Sequence, residues 1–138
     1  MENLEMQTVC LVAAEKVWRM LGSFDRIGKW HPLVTEVECT DQHTRTIKLQ
    51  SGDHLTERRV THSDLSMQLE MESGSWPLTA LTSTISVEDA GVKRSRVTWR
   101  AQFEAADSQA AREAIEGFVL QAFSWLNGRY GKDYADSA

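Results

Sequence analysis

The stretch Val17-Trp18-Arg19-Met20-Leu21-Gly22-Ser23-Phe24-Asp25-Arg26-Ile27-Gly28-Lys29-Trp30-His31-Pro32 decides how the rest of the chain is read. Val17, Trp18 and Leu21 recur at helical spacing after Ala14, and Gly22 supplies a C-terminal stop. Ser23 or Asp25 then caps a second short helix. That helix must end at His31, because a residue before proline resists the α conformation. Two helices this brief form a wedge, and Trp30-His31-Pro32 leads out of it into extended chain.

On the N-terminal side, Leu4, Met6, Cys10 and Val12 alternate with Glu5 and Gln7, as in a strand with one wet face. On the C-terminal side, strands are predicted at 33–40, 44–49, 53–62, 65–72, 78–88 and 95–103, joined by short polar links as in an antiparallel meander. Gly52 suits the left-handed position of a three-residue hairpin loop. That register sets Leu49 opposite Asp53, Ile47 opposite Leu55, and Arg45 opposite Glu57. Asp107 or Ser108 caps a helix running to Arg129 or Tyr130 and closed by Gly131, a rod of about 35 Å. Its apolar stripe is Ala111, Ile115, Phe118, Val119, Ala122 and Leu126, flanked by Phe123 and Trp125. The expected organisation is one domain over 1–131 and a polar tail at 132–138.

A length of 138 residues, 41% hydrophobic and 25% charged, fits one soluble domain with a real core. The net charge of −5 argues against a nucleic-acid partner, and Lys93, Arg94 and Arg96 read as a solvated hairpin turn. No stretch approaches the ~20 apolar residues that cross a bilayer, and Met1-Glu2-Asn3-Leu4-Glu5 lacks a basic leader, so a cytoplasmic protein without membrane insertion is expected. Cys10 and Cys39 read as buried or half-buried thiols of a reducing compartment, and no Cys/His spacing resembles a metal site. Neither a metal nor another cofactor is expected; a homodimer is left open.

Strand parity predicts which side chains face inward. Met67, Leu69 and Met71 share one face, as do Leu81, Ser83, Ile85 and Val87, and so do Val97, Trp99, Ala101 and Phe103. A strongly twisted sheet touches a straight helix along a seam and diverges elsewhere, which leaves room for a ligand. Alternation alone favours a closed core over such a space.

At this point the chain resembles the polyketide cyclase/dehydrase group of the START-like (SRPBCC) superfamily. The residues that carry the resemblance are Ala14-Glu15-Lys16-Val17-Trp18, Gly22-Ser23-Phe24, Trp30-His31-Pro32 and Arg45-Thr46-Ile47 with Gly52 and Glu57. Trp76-Pro77, Val97-Thr98-Trp99 and Phe103 continue it. The resemblance implies an α+β helix-grip fold: a seven-stranded curved antiparallel sheet wrapped around a long C-terminal helix, two short helices after the first strand, and a ligand cavity between sheet and helix. Members often carry tyrosines on the fifth strand and an aspartate-tyrosine pair on the sixth. Met67-Gln68-Leu69 and Ala80-Leu81 stand there instead. Such a pocket favours apolar ligands over proton-transfer chemistry.

The expected function is therefore binding of one small hydrophobic molecule, of aromatic, polyketide or lipid-like type. Trp30, His31, Trp76 and Leu81 would gate the mouth, and Phe118, Ala122 and Trp125 would form the lid. Met67, Leu69, Ser83, Ile85, Trp99 and Ala101 would line the sheet side, with Ile115 and Val119 opposite. The alternatives are a cyclase- or dehydratase-like enzyme and a protein-interaction module using an outer surface around Leu120. In the enzyme, Glu57 or His31 would act as general acid/base and Arg45 would polarise a carbonyl. Register alone makes Arg45 and Glu57 an ordinary cross-strand pair at a wet sheet end. Position before proline makes His31 a loop-bonding residue.

Overall fold

A computed structural model describes residues 1–131; the expected tail at 132–138 lies outside the described residues. Strand β1 (Glu2–Cys10) is followed by α1 (Ala14–Leu21) and a 3₁₀ helix (Phe24–Lys29). The strands β2 (Val34–Cys39), β3 (Thr44–Leu49), β4 (His54–Ser63), β5 (Ser66–Gly74), β6 (Ala80–Gly91) and β7 (Arg94–Glu104) come next, and α2 (Ser108–Tyr130) ends the described chain. All seven strands form one antiparallel sheet in the order β1-β7-β6-β5-β4-β3-β2.

The predicted hairpin register is observed: Arg45 pairs with Glu57 and Ile47 with Leu55. Gly52, at φ 93°, takes the left-handed turn position that costs an L residue energy. β1 lies beside β7, with Leu4 opposite Ala101, and never meets β2. The two cysteines therefore sit at opposite edges of the sheet. Cys10 is buried as expected, whereas Cys39 is exposed because β2 is an edge strand with one solvated face.

Two local expectations are corrected. Ser23 does stand at the N-cap of the second short helix, but its side chain makes no capping hydrogen bond. The Ser23 hydroxyl instead donates to Arg19 O at 2.6 Å, and the six residues that follow wind as a tight 3₁₀ helix. β6 also runs through 89–91, because Gly91 at φ 138° absorbs a bulge and keeps the pairing going to Arg94. The turn is then Val92-Lys93.

Helix α2 begins as read: Asp107 Oδ1 accepts from Ala110 N at 3.1 Å. Its predicted stripe is buried, and Phe123 and Tyr130 are buried with it. Asn127 exchanges hydrogen bonds with Thr8, and Leu11 N donates to Tyr130 O at 2.6 Å, which ties the helix end to the β1 edge. Phe103, Ile47, Leu55, Leu69 and Ile85 are fully buried between the layers, each contributing about 1.5–3 kcal/mol by leaving water.

Three glycines give a test of this packing. A Cβ at Gly117 or Gly128 of α2 would meet nothing within 4 Å, so alanine at either position should raise stability by about 0.5–1 kcal/mol. At Gly22 a Cβ would fall 2.6 Å from the Trp18 ring, so Gly22→Ala should lower it. Urea unfolding midpoints of the three variants measure both signs.

Candidate functional site

The inner face of the sheet is built by alternation. Leu55 and Glu57 of β4, Met67 and Leu69 of β5, Leu81, Ser83 and Ile85 of β6, and Trp99 and Ala101 of β7 are all buried there. Register shifts in β4 between Thr56 and Glu57 and between Arg59 and Thr61 interrupt its regular alternation. They explain how Val60 can be half-buried on a strand whose parity puts it opposite Leu55.

The Arg45–Glu57 pair is not at a wet sheet end. Its side chains are only 3% and 9% exposed: Phe24 of the 3₁₀ helix covers the Arg45 guanidinium, and Glu57 faces the space beneath α2. Arg45 donates from Nη2 and Nε to Glu57 Oε1 at 3.2 and 3.4 Å, and from Nη1 to Phe24 O at 2.6 Å. Its guanidinium also lies 4.4 Å from the Phe24 ring centroid, and that of Arg59 lies 5.0 Å from the same ring. Such a pair returns little net stability, yet removing one partner leaves a buried charge at a cost of about 3–5 kcal/mol.

His31 is 2% exposed, and both ring nitrogens are used. Leu33 N donates to Nδ1 at 3.1 Å, which fixes the tautomer, so Nε2–H donates to Phe118 O at 2.9 Å. The imidazole also stacks on the Phe118 ring, with centroids 4.0 Å apart. Burial lowers its pKa to about 4, the nearby Arg45 charge pushes the same way, and the Phe118 carbonyl opposes both. His31 bonds the loop, as its sequence position suggested, and in addition clamps the middle of α2.

Between sheet and helix lies a cavity of about 20 Å³, lined by Leu55, Glu57, Trp76, Leu81, Ser83 and Trp99 from the sheet side. Ile115, Phe118 and Val119 of α2 close it. A preformed ligand-sized hollow is therefore not what the seam contains; it has room for a single water. The physical reason is aromatic convergence: Trp76 and Trp99 meet Phe118 edge-on, at 5.6 and 6.1 Å between centroids.

Among the expected lining residues, Met67, Leu69, Ile85, Ala101 and Ala122 are buried in the surrounding core and do not border the cavity. Trp30 and Trp125 pack on each other at 5.6 Å, also away from it. Leu55 was missed as a lining residue. Its place two residues before Glu57, facing Ile47 across the hairpin, was the available signal.

The family described as polyketide cyclase / dehydrase and lipid transport matches the chain over residues 1–130. The fold is similar to that of the protein XoxI from Bacillus cereus, at 21% identity and TM-score 0.88, covering 94% of this chain and 96% of that one. A START superfamily protein from Mycobacterium smegmatis aligns at 10% identity and TM-score 0.74, over 91% and 97% of the two chains. An aromatase/cyclase from a Streptomyces species aligns at 14% identity and TM-score 0.74, over 93% and 92%. No curated protein matches in sequence.

The buried imidazole sets a pH dependence. Its folded pKa of about 4 lies below the unfolded value of 6.5, so the unfolded chain binds more protons between the two. The stability due to a neutral His31 is complete above pH 6.5 and is lost as pH falls toward 4, about 3 kcal/mol in all. Unfolding free energies of wild type and His31→Gln at pH 7, 5.5 and 4 should converge by that order as the pH drops. Parallel curves would remove His31 from the acid sensitivity.

Proposed function

Because the chain belongs to the polyketide cyclase / dehydrase and lipid transport family, we propose that it binds one small, largely apolar molecule in the seam between sheet and α2. The observation that carries this reading is the cavity wall. Seven of its nine residues are apolar or aromatic, and Glu57 and Ser83 are the two polar ones. Pockets for drug-sized ligands hold about 300–1,000 Å³, so at 20 Å³ this one must open to be filled. Trp76 is the ring best placed to move. It sits on the link between β5 and β6, whereas Trp99 and Phe118 are fixed in a strand and a helix. The driving force is apolar burial, about 25 cal/mol per Å², set against loss of the Trp76–Phe118 contact.

Acid–base turnover has less support. His31 spends both nitrogens on backbone groups, and Arg45 points its donors at Glu57 and Phe24 O, which leaves Glu57 alone in the cavity. A docking surface on α2 would rest on Leu120, the one large hydrophobic residue exposed on that helix among the described residues. Two free thiols at opposite sheet edges are consistent with a reducing, cytoplasmic setting. No helix among the described residues is long and apolar enough to cross a membrane.

A thermal-shift screen with small aromatic and polyketide-like compounds tests the reading. A compound present at 100 times its Kd should stabilise the protein by about 2.7 kcal/mol. Ser83→Leu, which fills the cavity, should abolish that gain at a folding cost of about 1–3 kcal/mol. Absence of any shift across the screen, or an unaltered shift in Ser83→Leu, would contradict binding in the seam.

A further inference from the structure

The two polar residues of the cavity are under-satisfied in a way that specifies what should meet them. Glu57 takes both of its Arg45 hydrogen bonds on Oε1. Among the described residues, Oε2 has no hydrogen-bond partner, and neither has Ser83 Oγ. Both residues are more than nine-tenths buried, at 7% and 6% exposure, and both border the cavity. Among the described residues the fully sealed side-chain atoms without a partner are Trp30 Nε1, His43 Nδ1, Arg59 Nε and Ser95 Oγ, so Glu57 Oε2 and Ser83 Oγ instead reach open space. The space beside them is large enough for one small hydrogen-bonding group.

The charges decide which group. An ionised carboxylate only accepts, so the incoming atom must carry a proton, and a serine hydroxyl can donate or accept in return. Arg45 already neutralises Glu57, so a bound ammonium would leave a net buried charge. A bound carboxylate would face Oε2 directly. A neutral hydroxyl satisfies both oxygens, donating to Glu57 Oε2 and exchanging a bond with Ser83 Oγ. The rest of the wall is rings and aliphatic groups from Leu55, Trp76, Leu81, Trp99 and Phe118.

We infer that the ligand is a neutral, apolar molecule carrying a hydroxyl at its leading end, which is read by Glu57 Oε2 and Ser83 Oγ in place of a resident water. This rests on the binding reading above. Ser83 is then a specificity-determining residue, and the paired charge of Arg45 is what makes the site select a neutral donor.

Three probes of similar size, 2-naphthol, 2-methoxynaphthalene and 2-naphthoate, are titrated into the full chain by calorimetry. The expected order has 2-naphthol about tenfold tighter than 2-methoxynaphthalene, with 2-naphthoate weaker than 2-naphthol. In Ser83→Ala the preference for 2-naphthol over its methyl ether should fall to roughly threefold, one of two partners being gone. Ser83→Ala changes one small buried atom, so it keeps the test open should Glu57→Gln fail to fold. Equal affinities for the alcohol and its ether, an unchanged preference in Ser83→Ala, or tightest binding of the carboxylate would overturn the hydroxyl assignment while leaving ligand binding intact. Binding of none of the three would overturn both.

Discussion

The ring of Phe118 is where the structure closes. It stacks on His31, meets Trp76 and Trp99 edge-on, and belongs to a residue whose own carbonyl accepts from His31. Edge-to-face aromatic pairs contribute about 0.5–1.5 kcal/mol each beyond the area they bury. One side chain thus couples the loop after the 3₁₀ helix, the β5–β6 link, strand β7 and the centre of α2. A long straight helix cannot follow a curved sheet along its whole length, and this cluster fills the gap that divergence would otherwise leave.

The second constraint is electrical. Arg45 and Glu57 are taken out of water together, and the pair persists because Phe24 supplies a carbonyl and a ring face to the guanidinium. Replacing such a pair with apolar groups would often stabilise a protein, so its burial here is not explained by stability alone. It places a fixed, neutralised carboxylate at the edge of an otherwise greasy space. The 3₁₀ helix is held by the same arginine, which links the covering segment physically to the cavity wall.

Much of the architecture was legible in the residues. Alternation located the strands, Gly52 set the β3–β4 register, and Asp107 marked the start of α2. These signals are local, and local geometry alone determines them. The burial of Arg45 and Glu57 was not legible, since register says which residues face each other and nothing of what lies above them. Phe24 covers Arg45 and α2 lies over Glu57, both far away in sequence. Volume was hidden for a related reason. Parity names the inward side chains, but whether they fill a space depends on ring orientation across three elements, and Trp76, Trp99 and Phe118 meet only in three dimensions. Leu55 escaped notice as a wall residue because β4 carries register shifts that blur its alternation.

The central claim is that the seam under α2, closed by aromatic rings at rest, is where a ligand goes. The chain has five tryptophans, which makes this directly observable by ¹⁹F NMR after uniform labelling with 5-fluorotryptophan. A saturating apolar ligand should move the Trp76 and Trp99 resonances most, and leave Trp18 of α1 in place. Displacement of Trp18 with Trp76 and Trp99 unchanged would put the ligand elsewhere on the molecule and contradict the account.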